Sequence, residues 1–180
     1  MKQTGPSIVG MIRENVQIGI GRHLYGILGA YGSLKHFEQK DLPQARHLDG
    51  SSFPIPVNLN QALLGRIGDE DLRSLVQNEA RLPQTVQRRL NQEFDLLLQE
   101  LLEQNKFLIL KQLELLFAYN LDLQVIRARA TNQCHILLLI PGEKRADHTI
   151  IFSEANPRFH RSLPPQLITA NHLWELTDDE

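Results

Sequence analysis

The sequence predicts an α/β fold of three layers, in which a mostly parallel sheet is covered by helices on both faces. Two short and wholly apolar segments, residues 107–110 and 136–140, have the composition of central strands that are buried on both sides. Amphipathic stretches with apolar residues at helical spacing lie between such segments, and residues 83–102 form the clearest of them. Strands that alternate with helices along a chain are typical of α/β sheets.

The first third of the chain predicts four elements from its periodicity and its turn residues. They are a helix at residues 7–16, a strand at 24–28, a short helix at 35–39 and a strand at 55–57. Residues 41–52 are rich in turn formers and predict an exposed connection. Pro54 and Pro56 flank the last strand, so we expect it at an edge of the sheet.

Helices and strands alternate through the rest of the chain. Residues 60–80 predict a helix broken at Gly65 and Gly68, where Asp69 could cap the second piece. Pro83 suits the first turn of the clearest helix, whose apolar stripe indicates packing on a sheet, with a coiled coil as the alternative. The remaining predicted elements are strands at 107–110 and at 136–140 ending in Pro141-Gly142, a helix at 113–130 interrupted near 120–122, and weaker strands at 149–152, 167–168 and 173–176.

Length and composition narrow the class of protein. A chain of 180 residues predicts one domain over residues 1–180, with a core at about 20–155, an N-terminal helix and a C-terminal strand and tail. Lys and Arg total 19 against 21 Asp and Glu, a net charge of -2 that does not indicate a broad basic face for nucleic acid. The single cysteine, Cys134, cannot form an internal disulfide and favours a reducing compartment. Since no apolar stretch approaches the ~20 residues that span a bilayer, and the first residues lack the apolar segment of a signal peptide, we expect a cytoplasmic protein with no membrane partner.

A glycine-bearing segment at residues 24–36 carries the main functional signal. Its apolar strand is followed by Gly29, and Gly32, Ser33 and Lys35 come next, in the frame of a phosphate-binding loop. Glycine lets backbone amides curl toward an anion, and the lysine can reach phosphate as a point charge. The sequence therefore predicts an anion-binding site at Gly29, Gly32, Ser33 and Lys35, with an ordinary strand-to-helix turn as the alternative.

Three departures from a working nucleotidase accompany that segment. Leu34 replaces the glycine that lets a phosphate approach the backbone, and His36 replaces the hydroxyl that would hold Mg²⁺. Lys111 follows the apolar strand at which a metal-holding acid is expected, while Glu114 is a weak catalytic candidate three residues further on. These residues predict lost or very weak hydrolysis and no metal site. The cofactor stays open, and ATP held without strong dependence on Mg²⁺ is the possibility that the loop suggests.

The order of these parts resembles the small P-loop NTPase-like proteins of the BrxF type from BREX phage-defence systems. The likeness covers most of residues 20–155 and is carried by segments 24–36, 55–60, 107–117 and 136–142. It implies an accessory subunit of a multi-protein defence system that handles DNA. The departures at Leu34, His36 and Lys111 imply a pseudo-NTPase that acts through protein association. The alternatives are an active ATPase, in which Lys35 and Ser33 suffice and Glu114 or a partner supplies the acid, and a nucleic-acid-binding module.

Other residues with chemical potential give weaker signals. The seven histidines lack the spacing of a zinc hydrolase site, which favours dispersed or hydrogen-bonded imidazoles over a metal site. Asp147, His148, Glu154 and His160 form a small acid and imidazole cluster in sequence, without a nucleophile from which a reaction would follow. Basic residues concentrate in the C-terminal third, where Arg158 and Arg161 could contact nucleic acid weakly, although interspersed acids favour exposure to solvent. We expect Trp174 to be a packing residue and residues 178–180 to fray.

Overall fold

A parallel sheet is the centre of the computed structural model, which describes residues 2–146 and 148–177. Its strands are β1 (Lys2–Gln3), β2 (Leu24–Gly29), β3 (Val57–Asn58), β4 (Phe107–Lys111), β5 (His135–Lys144), β6 (Thr149–Ile151), β7 (Arg161–Ser162) and β8 (Leu173–Leu176). Six of them lie in the order β1-β8-β2-β5-β4-β3 and every neighbouring pair in that order is parallel. β6 adds to the far end of β5 in antiparallel sense and pairs in turn with β7. The α/β class with a mostly parallel sheet is thus confirmed.

In the described part of the chain, seven α-helices connect and cover the strands. They are α1 (Gly5–Asn15), α2 (Tyr31–His36), α3 (Leu59–Ile67), α4 (Asp69–Asn78), α5 (Pro83–Gln104), α6 (Glu114–Ala118) and α7 (Gln124–Arg129). A π-helical turn at Phe37–Asp41 and a 3-10 turn at Leu42–Gln44 extend α2, and further 3-10 turns lie at Pro157–Phe159 and Ala170–His172. The predicted helix at 113–130 is interrupted at the expected place, between α6 and α7. Among the described helices, none combines the length and the apolarity needed to cross a bilayer.

Each face of the sheet supports its own apolar core, because successive side chains of a strand point to opposite faces. Leu108 and Leu110 of β4 belong to the first core, which α3, α5, α6 and α7 cover. Phe107 and Ile109 of the same strand belong to the second core, on the other face, which α1, α2 and the turns after α2 cover. Helices therefore lie on both faces, as the near-continuous apolar strands predict.

The long helix α5 packs against the sheet, and not against a second helix of a coiled coil. Its fully buried stripe includes Leu90, Phe94 and Leu98, which belong to the core on the face of Leu108. Glu93 is buried on the same helix, where it accepts hydrogen bonds from Arg66 of α3 at 2.7 Å and from Arg89 at 3.0 Å. The one buried carboxylate of this helix is thereby neutralised by two guanidinium groups.

Two expectations about chain breaks are wrong. Pro141-Gly142 does not end β5, because the Ile150 carbonyl oxygen lies 2.3 Å from where a Cβ of Gly142 would be, so the glycine lets β6 pair with the continuing strand. The break between α3 and α4 falls at Gly68 alone, which has a φ of 77° and is the N-cap of α4 without a side-chain bond. Gly65 stays within α3, and Asp69 is the first residue of α4 and does not cap it.

Two further expectations are wrong because tertiary packing decides them. Leu167 and Ile168 form no strand, and both are buried in a turn that covers the first core. The connection at residues 41–52 is only partly exposed, because Leu42 and Ala45 are buried in the second core. These four residues are apolar because they pack on the two cores, although they lie outside the strands and α-helices. The prediction of one domain over residues 1–180 stays a prediction, and the expected fraying at 178–180 concerns residues outside the described ranges.

The chain connections diverge at the carboxyl end of β2. The chain leaves β2 toward β3 at one edge of the sheet, whereas it leaves β5, the neighbour of β2, toward β8 on the far side of β2. Ligands of open α/β sheets bind at the carboxyl ends of strands where the connections diverge in this way. The expected ligand site is accordingly the carboxyl end of β2, together with the residues that follow β4 and β5.

Candidate functional site

The predicted phosphate loop is a turn of a single residue. β2 includes Gly29, α2 begins at Tyr31, and only Ala30 lies between them. Gly29 and Gly32 are not among the glycines with a positive φ, and Gly32 lies in the first turn of α2. The expectation that these glycines let the backbone curl its amides around an anion is therefore wrong, because the helix begins four residues earlier than predicted.

The residues after the turn lie on different sides of α2. Leu34 is buried in the second core, and its Cγ is 3.5 Å from where a Cβ of Gly29 would be, which is an ordinary van der Waals distance. Lys35 and His36 are exposed, while Ser33 is half-buried and, with Gly32 and His36, lines a small cavity of about 200 Å³. Whether Gly29, Gly32, Ser33 and Lys35 bind an anion stays a prediction.

A carboxylate of the protein itself lies at the start of α2. Glu154, in the turn after β6, accepts a hydrogen bond of 2.6 Å from the Tyr31 backbone N–H. Ala30 at the N-cap offers no side-chain oxygen, so this contact satisfies an amide that the helix leaves without an intrahelical partner. A negative charge is also favoured there by the helix dipole. Glu154 thus stands where a bound phosphate would meet the helix.

A second carboxylate is fixed beside the first. Glu114 accepts a hydrogen bond of 2.7 Å from the Asn60 side-chain amide and one of 3.4 Å from the Tyr31 hydroxyl. The side-chain oxygen of Asn60, Oδ1, in turn accepts a hydrogen bond of 3.0 Å from the Leu115 backbone N–H, which fixes the orientation of the side-chain amide. Burial, together with the charges of Glu114 and Glu154, raises the pKa of Tyr31 to about 12, so its phenol is a neutral donor at physiological pH.

Lys111, the last residue of β4, is paired with an acid that follows α2 in the chain. Its ammonium group forms a hydrogen-bonded ion pair with Glu38, in the π-helical turn after α2. The lysine at the carboxyl end of β4 is therefore already charge-compensated within the protein.

Two residues near this site have a backbone in the left-handed region. Gln112, directly after β4, has a φ of 54°, and Phe152, directly after β6, has a φ of 59°. The left-handed region is costly for a bulky residue such as phenylalanine. Phe152 is held there by its backbone N–H, which donates to the Pro141 carbonyl oxygen at 2.7 Å, and by its edge contact with the Phe117 ring. These two strained residues precede the segments that carry Glu114 and Glu154.

Glu154, Tyr31, Glu114 and Asn60 form a network of hydrogen bonds around the start of α2. The ion pair between Lys111 and Glu38 is a separate contact, in the turn that follows α2. A triphosphate requires a cradle of amides and cations, whereas Glu154 and Glu114 present negative charge here. The turn as it stands does not fit a tightly held nucleotide, so no chemical step is derived through one.

The sequence singled out some of these residues and not others. Glu114 was identified as the weak acid candidate and Lys111 as a departure, and the fold places both near α2. The sequence groups Glu154 with Asp147, His148 and His160. In the structure, the Glu154 carboxylate instead binds the first backbone amide of α2, and the imidazole of His160 makes a 3.0 Å hydrogen bond with the Ala155 carbonyl. Asp147 lies outside the described residues. Asn60 and Glu38 gave no sequence signal, because only the fold brings them to this edge.

Histidines gather at the opposite end of the sheet. His23 and His135 are buried with stacked rings 4.2 Å apart, and the Tyr25 hydroxyl lies between their Nδ1 atoms at 3.1 and 3.2 Å. Burial, together with the neighbouring imidazoles of His23 and His47, lowers the pKa of His135 to about 4. These imidazoles are hydrogen-bonded but not dispersed. Within residues 2–146 and 148–177, no three acid, imidazole or thiol side chains converge to hold a metal ion.

The C-terminal basic residues are mostly engaged within the protein. Arg129 pairs with Asp95 at 2.6 Å and Arg145 with Glu143 at 2.8 Å. Arg158 lies over the Phe159 ring, 4.5 Å from its centroid, and Arg161 donates to the carbonyl oxygens of Arg158 and His160. Trp174 is buried and stacks on Tyr25, which agrees with its expected packing role.

No protein family, no curated protein and no solved structure matches this chain.

Proposed function

We propose that this chain is a catalytically impaired, P-loop NTPase-like accessory protein that acts through association with other proteins. The observation that carries the proposal is the carboxylate of Glu154 on the first amide of α2, at the place where a phosphate would bind. A protein that fills this position with its own acid has exchanged a ligand contact for a structural one. The resemblance of the sequence to the small BrxF-type proteins extends the proposal to a multi-protein phage-defence system.

Three further features support the proposal. The strand before the turn, β2, lies inside a parallel sheet, as a strand before a phosphate loop does in α/β nucleotide-binding proteins. The connection to α2 is too short for a phosphate cradle, which supports impaired nucleotide binding. Lys111, at the position of the expected metal-holding acid, is already paired with Glu38.

An active NTPase is the second candidate, and one observation favours it. Glu114 is held at the start of α2 by Asn60 and Tyr31, so a carboxylate is positioned on this edge despite the lysine at the end of β4. In that case Lys35 would contact the phosphates and Glu114, or an acid from a partner, would orient the attacking water.

One hydrolysis assay separates the two candidates. Purified protein is incubated with ATP and Mg²⁺, alone and together with the proteins encoded by neighbouring genes, and is compared with Lys35→Ala. The proposal expects phosphate release at background level for both proteins, and equal recovery of both in complexes with those partners. Hydrolysis that disappears in Lys35→Ala would instead establish the active NTPase.

The role of Glu154 is tested by titrating ATP into the protein in a calorimeter. Glu154→Gln removes the charge that competes with phosphate while keeping a hydrogen-bond acceptor for the Tyr31 amide, so we expect ATP to bind this variant at least about tenfold more tightly than the wild type, which corresponds to about 1.4 kcal/mol. Glu143→Gln, an exposed acid in β5, serves as the matched control and leaves the affinity unchanged. Equal affinities of Glu154→Gln and wild type would refute the assignment of Glu154 as a phosphate substitute.

A further inference from the structure

A groove with three cations lies at the opposite end of the sheet from the candidate site. Arg22 precedes β2, Lys106 precedes β4, and the turn 131–134 precedes β5, so the amino ends of three adjacent strands meet there. Arg127 of α7 contributes the third cation to the wall of an open cavity of about 790 Å³. These residues are distant in sequence, and only the parallel sheet brings them together.

The lining of this groove contains three cations and no acid. Arg22, Lys106 and Arg127 form no ion pair with any described residue, and the residues lining the cavity include no carboxylate. Arg66, Arg89, Lys111, Arg129 and Arg145, in contrast, each pair with an acid. Three cations around one open cavity favour the approach of an anion, although Lys106 also lines the adjoining cavity that contains Asp95 and Glu103.

The remaining wall of the groove consists of short polar side chains. Thr131, Asn132 and Gln133 follow one another in the turn before β5, and all three are exposed. The Asn132 side-chain oxygen accepts a hydrogen bond of 3.0 Å from the Gly21 backbone N–H, which ties this turn to the segment that carries Arg22. The groove thus combines cations with hydroxyl and amide groups, which are the groups that contact phosphate and sugar in nucleic-acid complexes.

We propose that this groove binds the phosphate backbone of a single-stranded nucleic acid. A concave groove accommodates a flexible strand, whereas duplex DNA is read by an element that projects into its own grooves. An acidic protein segment fits less well, because protein interfaces depend on large apolar anchors in pockets, and Ile20 is the one large apolar side chain in this lining. The lining also contains no aromatic ring for base stacking, so the contact is independent of sequence.

The groove is independent of the proposed function, since it lies at the amino ends of the strands and shares no residue with the network around α2. It also differs from the weak contact predicted for Arg158 and Arg161. Those two arginines are engaged with Phe159 and with carbonyl oxygens, and neither of them lines this groove.

The test measures fluorescence anisotropy of labelled (dT)20 and (rU)20 over a range of salt concentrations. Three phosphate contacts predict that log K falls with log[salt] with a slope of about -2. The groove variant Arg22→Gln/Lys106→Gln/Arg127→Gln is expected to lose at least about tenfold in affinity at low salt and most of that slope. The matched control Lys144→Gln/Arg158→Gln/Arg161→Gln has the same net charge and is expected to bind like the wild type. Binding of either strand supports the proposal, and the two arms identify DNA or RNA.

Several results would overturn the proposal. They are absence of binding by the wild type, equal losses in both triple variants, tighter binding of a duplex of the same length, and displacement of the strand by polyglutamate at equal charge concentration. Circular dichroism and melting curves verify that the triple variant is folded. If it is not, Lys106→Gln alone, at an exposed side chain, is expected to lower the slope by about 0.7, and an unchanged slope would count against the groove.

Discussion

At the scale of single residues, Gly32 is the position at which the sequence pattern and the structure differ most clearly. The sequence pattern assigns this glycine to an anion cradle, whereas the structure places it in the first turn of α2, with no atom within 4 Å of an added Cβ. A glycine in such a position has conformational freedom in the unfolded chain that alanine lacks, and its native backbone is one that alanine adopts without strain.

We therefore expect Gly32→Ala to stabilise the protein by about 0.5 kcal/mol, measured by urea denaturation. Gly142→Ala provides the contrast, because its Cβ would overlap the Ile150 carbonyl oxygen and the ladder between β5 and β6 would have to shift. Destabilisation by Gly32→Ala would show that this glycine needs a backbone conformation that the helix does not have.

His135 makes the stability of the protein depend on pH. Its imidazole is 6 % exposed, next to the ring of His23, and its pKa falls from the ordinary 6.5 to about 4. Between these two values the unfolded chain binds a proton that the folded protein excludes, so stability falls as the pH decreases from 6.5 toward 4. The full shift corresponds to about 3 kcal/mol.

This dependence is tested with His135→Phe. The variant lacks the titrating group, so we expect the free energy of unfolding to decrease less between pH 7 and pH 5 than it does in the wild type. The comparison uses the change with pH and not the absolute stability, since loss of the Tyr25 contact shifts the latter. Parallel pH profiles of the two proteins would exclude His135 as the source.

At the scale of elements, α5 shows how local pattern and burial agree. Pro83 begins the helix, its apolar residues recur every three or four positions, and the buried ones face the sheet. Leu98 is fully buried in the first core, whereas Leu96, two positions earlier, points away and is 45 % exposed.

The same substitution at these two leucines should give very different results. Leu98→Ala leaves a cavity against the sheet and is expected to cost about 3 kcal/mol of unfolding free energy. Leu96→Ala removes a surface side chain without a cavity and is expected to cost less than about 0.5 kcal/mol. Thermal or urea denaturation of both variants measures the difference, and similar costs would contradict the orientation of α5.

The start of α2 shows where local pattern is insufficient. The sequence predicts a short helix at residues 35–39 after the glycine segment, but the helix begins at Tyr31. Its first amide is bound by Glu154, 123 positions away in sequence, and Ala30 provides no local cap. Because the partner is remote, no window of sequence around Gly29 contains the reason for this helix start.

At the scale of the whole molecule, the sheet separates two ends with different chemistry. The carboxyl ends of the strands carry paired carboxylates and an ion pair around α2, and the amino ends carry the buried histidines and the three unpaired cations. This division follows because the six strands of the main sheet are parallel, so their amino ends all lie at the same end of the sheet. A net charge of -2 hides it, because the sequence average mixes both ends.

The sequence by itself determined the α/β class, the buried strands at β4 and β5, the long helix α5 and the departure at Lys111. Those features are local, because an apolar run or a helical stripe is complete within some 5 to 20 residues. The tertiary structure alone decided that the glycine turn is a helix start held by Glu154, that Lys111 pairs with Glu38, and that Arg22, Lys106 and Arg127 share a groove. Each of these depends on contacts between residues far apart in the chain, and such contacts exist only after the strands have been ordered in the sheet.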